Sequence, residues 1–404
     1  MVYAIGVAVA QAMTVILYLL YARSSSPAEF GNEMALVTGS LFIAGFISFG
    51  SNIHLVREFA SQRLRGADLL GRSLARSVVA VAVALGLASV GMLLLPGLSS
   101  CELFLAFVLI VASHAGQLAT VPLLASGEHR VVAGLLIAQR TVSLVIAYLD
   151  IHFGGFAPGS ILLALAAPAV VHVFATVGVV WLRRKPTIAV IRESRKYLFD
   201  NPWRGAGRVG LVSVLFGLQQ LDINVVRAAG GAVAAGEYSV VARWVQPVNL
   251  LSNSLGQARF HLASKSESSR EAANQFRMPI LIGLGVSVGC LIVAATSHVV
   301  VRLLVGDAFA ASAIVLSILM ISSIPAYFSQ LLYYFVLSRE SERLLILPVA
   351  LTVLFQFSVM AILTRLFGTA GAAVAILATQ VAYLLVLLWV ARRSLLGGSV
   401  ADSG

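Results

Sequence analysis

The feature that most constrains this chain is a succession of apolar runs, each about as long as a bilayer is thick. A helix needs roughly 20 predominantly apolar residues to cross the hydrocarbon core. Between charged or Gly/Pro-marked breaks the sequence offers twelve such runs, near 3–22, 33–53, 74–95, 103–125, 131–149, 160–182, 208–227, 236–257, 279–298, 311–337, 345–364 and 370–391. Composition points the same way. Of 404 residues 59% are hydrophobic and 11% charged, where a soluble chain carries about a quarter charged. Too little polar surface remains to cover a water-facing globule, so the solvent is lipid. The first run has no basic leader, and Tyr21-Ala22-Arg23-Ser24 is a poor cleavage site. It reads as a retained span rather than a signal peptide.

The basic residues sort themselves by side. When connecting segments are assigned alternately to the two faces, one face receives Arg57, Arg63, Arg65, Arg72 and Arg76, then Arg130, then the eight basic residues between Arg183 and Arg208. The same face takes Arg259, Lys265, Arg270, Arg277, Arg339, Arg343, Arg392 and Arg393, whereas the other has only Arg23, Arg227, Arg302 and Arg365. Cytoplasmic loops carry the excess of Lys and Arg, so both termini are expected in the cytoplasm. The net charge of +11 then reports topology, and a nucleic-acid partner is not expected.

Spans 2, 4 and 6 match spans 8, 10 and 12 in the same order, one half-chain later, so the chain reads as two copies of a six-helix unit. Phe153-Gly154 and Trp181-Leu182-Arg183-Arg184 bracket span 6 as Phe367-Gly368 and Trp389-Val390-Ala391-Arg392-Arg393 bracket span 12. Span 2 follows Glu29-Phe30-Gly31 and leads to Phe59-Ala60-Ser61; span 8 follows Gly236-Glu237-Tyr238 and leads to Leu262-Ala263-Ser264. An even number of spans per copy makes the repeat parallel, with its axis along the membrane normal. The expected organisation is an N-lobe over 1–182, a basic interfacial linker over 183–207 and a C-lobe over 208–404. Two such lobes about a central cleft suggest a transporter that alternates access; a duplicated scaffold without transport is the bland alternative.

Several chemistries are missing. None of the three lysines follows glycine, so there is no GxxxxGK[ST] phosphate loop. No HExxH and no paired His/Cys spacing calls for zinc, and no cofactor or metal is expected. Cys101 and Cys290 are too few for a disulfide framework. External loops of at most about a dozen residues leave no room for a catalytic domain there, so the chain is not expected to be an enzyme.

Ionisable residues inside a span are costly, by roughly 2.5–3.5 kcal/mol at the helix centre, and should face a cavity or a partner. Arg140, Asp222 and Arg243 are the three expected there. Asp222 lies five residues below Arg227, and Arg243 six below Glu237, or about 8 and about 9 Å of helix rise. Their depths match on consecutive helices, so an Asp222–Arg243 ion pair is expected, either as a clip between helices or as a coupling and gating pair. Arg243, Gln246, Asn249, Asn253 and Gln257 fall within about a 120° arc of span 8. Span 1 carries Gln11, Thr14, Tyr18 and Tyr21, and span 4 carries Ser113, Gln117 and Thr120 with His114 beside them. Such stripes are interhelical hydrogen-bond glue or line water, the five-residue stripe being the better case for water. Arg140 at the midplane, with Arg23 and Arg227 at the outer mouth, suits an anionic substrate, since guanidinium binds phosphate oxygens bidentately. For the latter two, headgroup snorkelling is the competing reading.

These residues resemble a known family. Arg23-(x)5-Glu29-Phe30-Gly31, Phe49-Gly50 and Val56-Arg57-Glu58-Phe59-Ala60 are similar to the first helical hairpin of polysaccharide-biosynthesis proteins, the Wzx-type oligosaccharide-lipid flippases of the multidrug/oligosaccharidyl-lipid/polysaccharide (MOP) exporter superfamily. Asp222, Gly236-Glu237-Tyr238-Ser239 and Ala242-Arg243 resemble that family's second-half segment, and Leu304-(x)1-Gly306-(x)2-Phe309-(x)2-Ser312 and Gly368-(x)2-Gly371-Ala372-Ala373 are also similar to it. The resemblance implies an all-α polytopic protein of about twelve spans in two lobes, set in the bacterial inner membrane. It implies a flippase for undecaprenyl-pyrophosphate-linked oligosaccharide, an O-antigen, capsule or exopolysaccharide repeat unit, driven by an ion gradient. Membrane lipids, and a polysaccharide polymerase and chain-length regulator, are the other partners it implies. Arg23, Asp222 and Arg243 take family-like positions; Arg140, Arg227, Gln246, Asn249 and Asn253 join them as candidate contacts from the span reading. A drug or small-solute exporter of the same superfamily is the alternative. The N-lobe runs show no acid in their interiors, which favours an anion over a cationic drug. A membrane polymerase, ligase or glycosyltransferase would need loop carboxylates that the sequence does not offer.

Overall fold

A computed structural model of the chain describes residues 2–50, 55, 76–79, 81–86, 99–154, 156–184, 207–266, 268–339 and 343–401. Every regular element among the described residues is helical. The chain forms two compact units, one of Met1–Ser25 with Glu33–Leu221, the other of Ser26–Asn32 with Asp222–Gly404. The linker expected over 183–207 lies almost wholly outside the described residues, as do Arg57, Arg63, Arg65 and Arg72 of the basic face.

The first unit contains α1 (Val2–Ser24), the body of α2 (Pro27–Ser48), α3 (Ser100–Ala125), α4 (His129–Leu149), α5 (Ser160–Arg184) and α6 (Gly207–Leu218). Its packing sets α1 on α4, and α5 on both α3 and α4. A sequence-local cap begins α3. Ser99 accepts from the Glu102 amide at 3.2 Å while Glu102 accepts from the Ser99 amide at 2.8 Å, a capping box that satisfies two orphan donors. The start of α5 is capped by another helix. The Glu33 carboxylate accepts from the amides of Gly159 at 2.5 Å, Ser160 at 3.1 Å and Ile161 at 2.8 Å, where the helix dipole favours an anion. Tyr21 joins the same corner, its hydroxyl 3.2 Å from both Asp150 Oδ2 and the Ser160 carbonyl.

Two expectations change here. The run expected to start at residue 33 begins six residues earlier, at Pro27, so Glu33 lies inside α2 at 2% exposure. The N-lobe therefore does hold a buried acid, and it is fully used as a cap. Arg76, read as a loop charge, is helical and only 1% exposed.

The second unit contains α7 (Asp222–Ala242), α8 (Gln246–Lys265), α9 (Ser269–Asn274), α10 (Arg277–Leu304), α11 (Ser312–Arg339) and α12 (Arg343–Ala401). Neither α7 nor α12 is one straight helix. Gly231 in α7 has φ +86° and Gly368 in α12 has φ +62°, a region open to glycine and strained for residues with a Cβ. Tyr238 reaches Asp222 with its hydroxyl, although sixteen residues of straight helix would hold them about 24 Å apart. The chain in α7 therefore folds back at Gly231. The segment 26–32 packs on the returning arm. A methyl on Gly31 would run into the Ala232 carbonyl, and one on Gly236 into that of Pro27, so these backbones approach as closely as two glycines allow.

Among the described residues eight helices are long and apolar enough to cross a membrane, the last of them, Leu345–Arg392, interrupted at Gly368. The protein is a multi-pass membrane protein.

Candidate functional site

The runs expected as continuous spans 7 and 8 are each broken. A 3-10 turn at Gln219–Leu221 separates α6 from α7, and another at Arg243–Val245 separates α7 from α8. Asp222 opens the helix after the first break and Arg243 opens the second. The two charges expected inside spans thus stand at helix breaks, where freed backbone polar groups need protein or water as partners.

In the second unit the structure brings Asp222 and Arg243 within electrostatic reach. The direct bond expected between them is not made. The ion pairs within 4.0 Å among the described residues are Arg183–Glu128 and Arg302–Asp307. Asp222 Oδ2 instead accepts from the Tyr238 hydroxyl at 2.8 Å, and Oδ1 from the Ile223 amide at 2.8 Å. Tyr238 takes the oxygen because the Gly231 fold-back delivers its ring to that level. Arg243 Nε is buried and has no hydrogen-bond partner. The Tyr238 hydroxyl, and not the Arg243 guanidinium, holds the Asp222 carboxyl group.

The polar stripe on α8 divides by contact. Asn253 Oδ1 accepts from the Tyr334 hydroxyl of α11, and Gln257 Nε2 lies 3.4 Å from the same oxygen. The Tyr334 ring also fills the space beside Gly256. Asn253 is thus a clip between α8 and α11. Gln246 is half-buried, and Asn249 and Gln257 are exposed. Arg227, in the same unit, donates from Nε to Asn32 Oδ1 at 2.9 Å.

Arg140 lies midway along α4 in the first unit, half-buried. Neither ion pair among the described residues includes it. Its electrostatic neighbours are Tyr18 of α1 and His172 of α5. Arg23 is exposed at the end of α1. In span 4, Ser48 Oγ and His114 Nδ1 are 2.8 Å apart, so this part of the α3 stripe joins helices.

Sequence reasoning missed Tyr238, His172 and Tyr334 as site residues. Tyr238 stood in the quoted Gly236-Glu237-Tyr238-Ser239 segment. His172 sits within Val170-Val171-His172-Val173-Phe174, where nothing but its own polarity marks it. Tyr334 follows Tyr333 in an aromatic-rich run that reads as core.

No family model matches the chain, and no curated protein matches it. Solved structures do. An inward-facing multidrug resistance MATE family transporter of the MOP superfamily superposes with a TM-score of 0.70 at 13% identity, covering 98% of this chain and 96% of that one. The lipid II flippase MurJ in an inward closed conformation gives 0.72 at 11% identity, over 98% and 90%. A MOP superfamily transporter from Pyrococcus furiosus, described by the reverse polarity of its binding pocket, gives 0.58 at 12% identity, over 97% and 94%. At such identities the likeness is one of fold: this all-α chain has, over nearly its whole length, the fold of the MOP superfamily transporters.

Proposed function

We propose that the protein is a flippase, not an enzyme, for an undecaprenyl-pyrophosphate-linked oligosaccharide such as an O-antigen, capsule or exopolysaccharide repeat unit. It carries this substrate across the bacterial cytoplasmic membrane by exposing a polar interior alternately to either side, driven by an ion gradient. The observation that carries the reading is Arg140, a guanidinium midway along a helix long and apolar enough to cross the membrane, with no carboxylate among the described residues in ion-pair contact. An uncompensated charge there is costly, and a diphosphate supplies the bidentate oxygens that would offset it. The likeness in fold to a protein named as a lipid II flippase supports a lipid-linked substrate. Arg23, Arg227, Gln246 and Asn249 are further contacts along the substrate's path, with Asn253 tied to Tyr334. Asp222, with Tyr238 and Arg243, forms the coupling or gating group. A polysaccharide polymerase and chain-length regulator are the partners that would use the product.

The test is translocation of a lipid-linked oligosaccharide by the purified protein in proteoliposomes. Arg140→Ala should abolish it at unchanged membrane expression, with Arg140→Lys keeping part. Full transport by Arg140→Ala would remove Arg140 from the mechanism. Export of cationic drugs instead of glycan would assign the protein to the multidrug exporters of the same fold.

A further inference from the structure

We propose that His172 completes an anion site with Arg140 and Tyr18 inside the first unit, and that the imidazole takes up a proton as the anion binds. This rests on the reading of Arg140 as the anion contact. His172 is at mid-length in α5 and only 7% exposed. Its ring lies against α3 at Gly116, where a Cβ would come within 3.2 Å of Cδ2. The ring bonds the backbone of Leu135 in α4, whereas Nδ1 is buried without a hydrogen-bond partner. That assigns Nε2–H to the Leu135 carbonyl and leaves Nδ1 a bare acceptor. Buried polar nitrogens are seldom left so.

Two ring nitrogens, one tied and one open, make a proton-dependent donor. In the neutral ring Nδ1 offers an anion only a lone pair. In the charged ring it offers N–H⁺, beside a guanidinium that is already positive. Of the titratable groups on the elements packed against α5, which are Glu33 on α2 at its first turn, Cys101, Glu102 and His114 on α3 and His129, Arg130, Arg140 and Tyr148 on α4, only Arg140 acts on the ring. His114 is held to Ser48 on another face of α3. Tyr18 of α1, at 5% exposure, acts on Arg140 from the other side. No carboxylate among the described residues balances the pair. Without an anion, a second positive charge at this depth is disfavoured; with one bound, it becomes a second binding charge. Proton and anion therefore enter together, and each raises the affinity for the other by the same factor. A diphosphate, with its two phosphate groups, fits two cations on adjacent helices better than a monoanion does.

Sulfate serves as probe, because its own charge does not change between about pH 5 and pH 8, the range in which histidine titrates. Sulfate affinity of the purified protein should weaken about tenfold per pH unit on the alkaline side of the His172 titration, as one proton per anion requires. Proton uptake on sulfate addition should approach one per site. His172→Gln, which can keep the Leu135 bond, should bind with the weak alkaline affinity at every pH. A flat profile or no proton uptake in the unaltered protein overturns the histidine role while Arg140 stands. An unchanged slope in His172→Gln does the same. Absence of sulfate binding overturns the site itself. Undiminished binding by Arg140→Ala overturns the reading beneath it. Should His172→Gln fail to fold, proton uptake by the unaltered protein still decides.

Discussion

Arg140 and Arg243 are both arginines expected inside spans, one in each unit, and their surroundings differ in kind. Arg243 opens a 3-10 turn facing a carboxylate, Asp222, that is itself held by Tyr238 and a backbone amide. Arg140 sits in an unbroken helix with a phenol and an imidazole as neighbours. One arginine faces a carboxylate, and the other has none in ion-pair contact among the described residues. The contrast teaches where ligand and machinery are to be sought: on the proposed reading the arginine without an ion pair is the binding group, and the Asp222–Tyr238–Arg243 group at the helix breaks is the gate.

The largest expected effect follows from removing the unanswered charge. Arg140→Ala should lower transport by about 10- to 150-fold, since a bidentate charge-assisted contact is worth about 1.5–3 kcal/mol. Thermal stability should hold or rise, because no protein partner is orphaned. A fall in stability with transport intact would erase the contrast.

Asp222→Ala should behave oppositely, lowering stability by about 2–3 kcal/mol as Tyr238 loses its acceptor and Arg243 the carboxylate it faces. Adding Arg243→Leu should recover part of that loss, as removing both members of a buried pair is cheaper than removing one. A double variant no better than the single would show that the two charges do not interact. Gly236→Ala should cost about 1–3 kcal/mol by forcing a methyl into the Pro27 carbonyl; Gly134→Ala, with open space around it, is the control. Tyr238→Phe is the smallest, about 1 kcal/mol for one hydrogen bond, read by thermal unfolding in detergent.

Much of this was legible because a bilayer imposes its thickness on the sequence. Apolar runs such as 279–298 and 311–337 fall within α10 and α11 for that reason alone. The breaks at 219–221 and 243–245 were not legible, since a change from i→i+4 to i→i+3 bonding leaves hydrophobic content untouched. The fold-back at Gly231 had a signal in Gly230-Gly231, but its consequence, Tyr238 reaching Asp222, is a matter of distance that no period reveals. Depth matching did bring Asp222 and Arg243 to one level, and it could not say which neighbour would bond the carboxylate. The Glu33 shift had a local cue in Ser26-Pro27-Ala28-Glu29, a capping-box spacing in which Ser26 and Glu29 do bond, with Glu29 accepting from the Ser26 amide at 2.9 Å. His172 needed the third dimension, because only packing beside Gly116 and Leu135 distinguishes it from a core histidine.

The central claim is that the unanswered cation of the first unit serves a lipid-linked diphosphate. Its most direct test is the lipid-linked oligosaccharide content of a strain depleted of this protein, read beside its surface polysaccharide. The account predicts accumulation of undecaprenyl-pyrophosphate glycan, identified by mass, together with loss of the surface polymer. No accumulation with the surface polymer intact would contradict it.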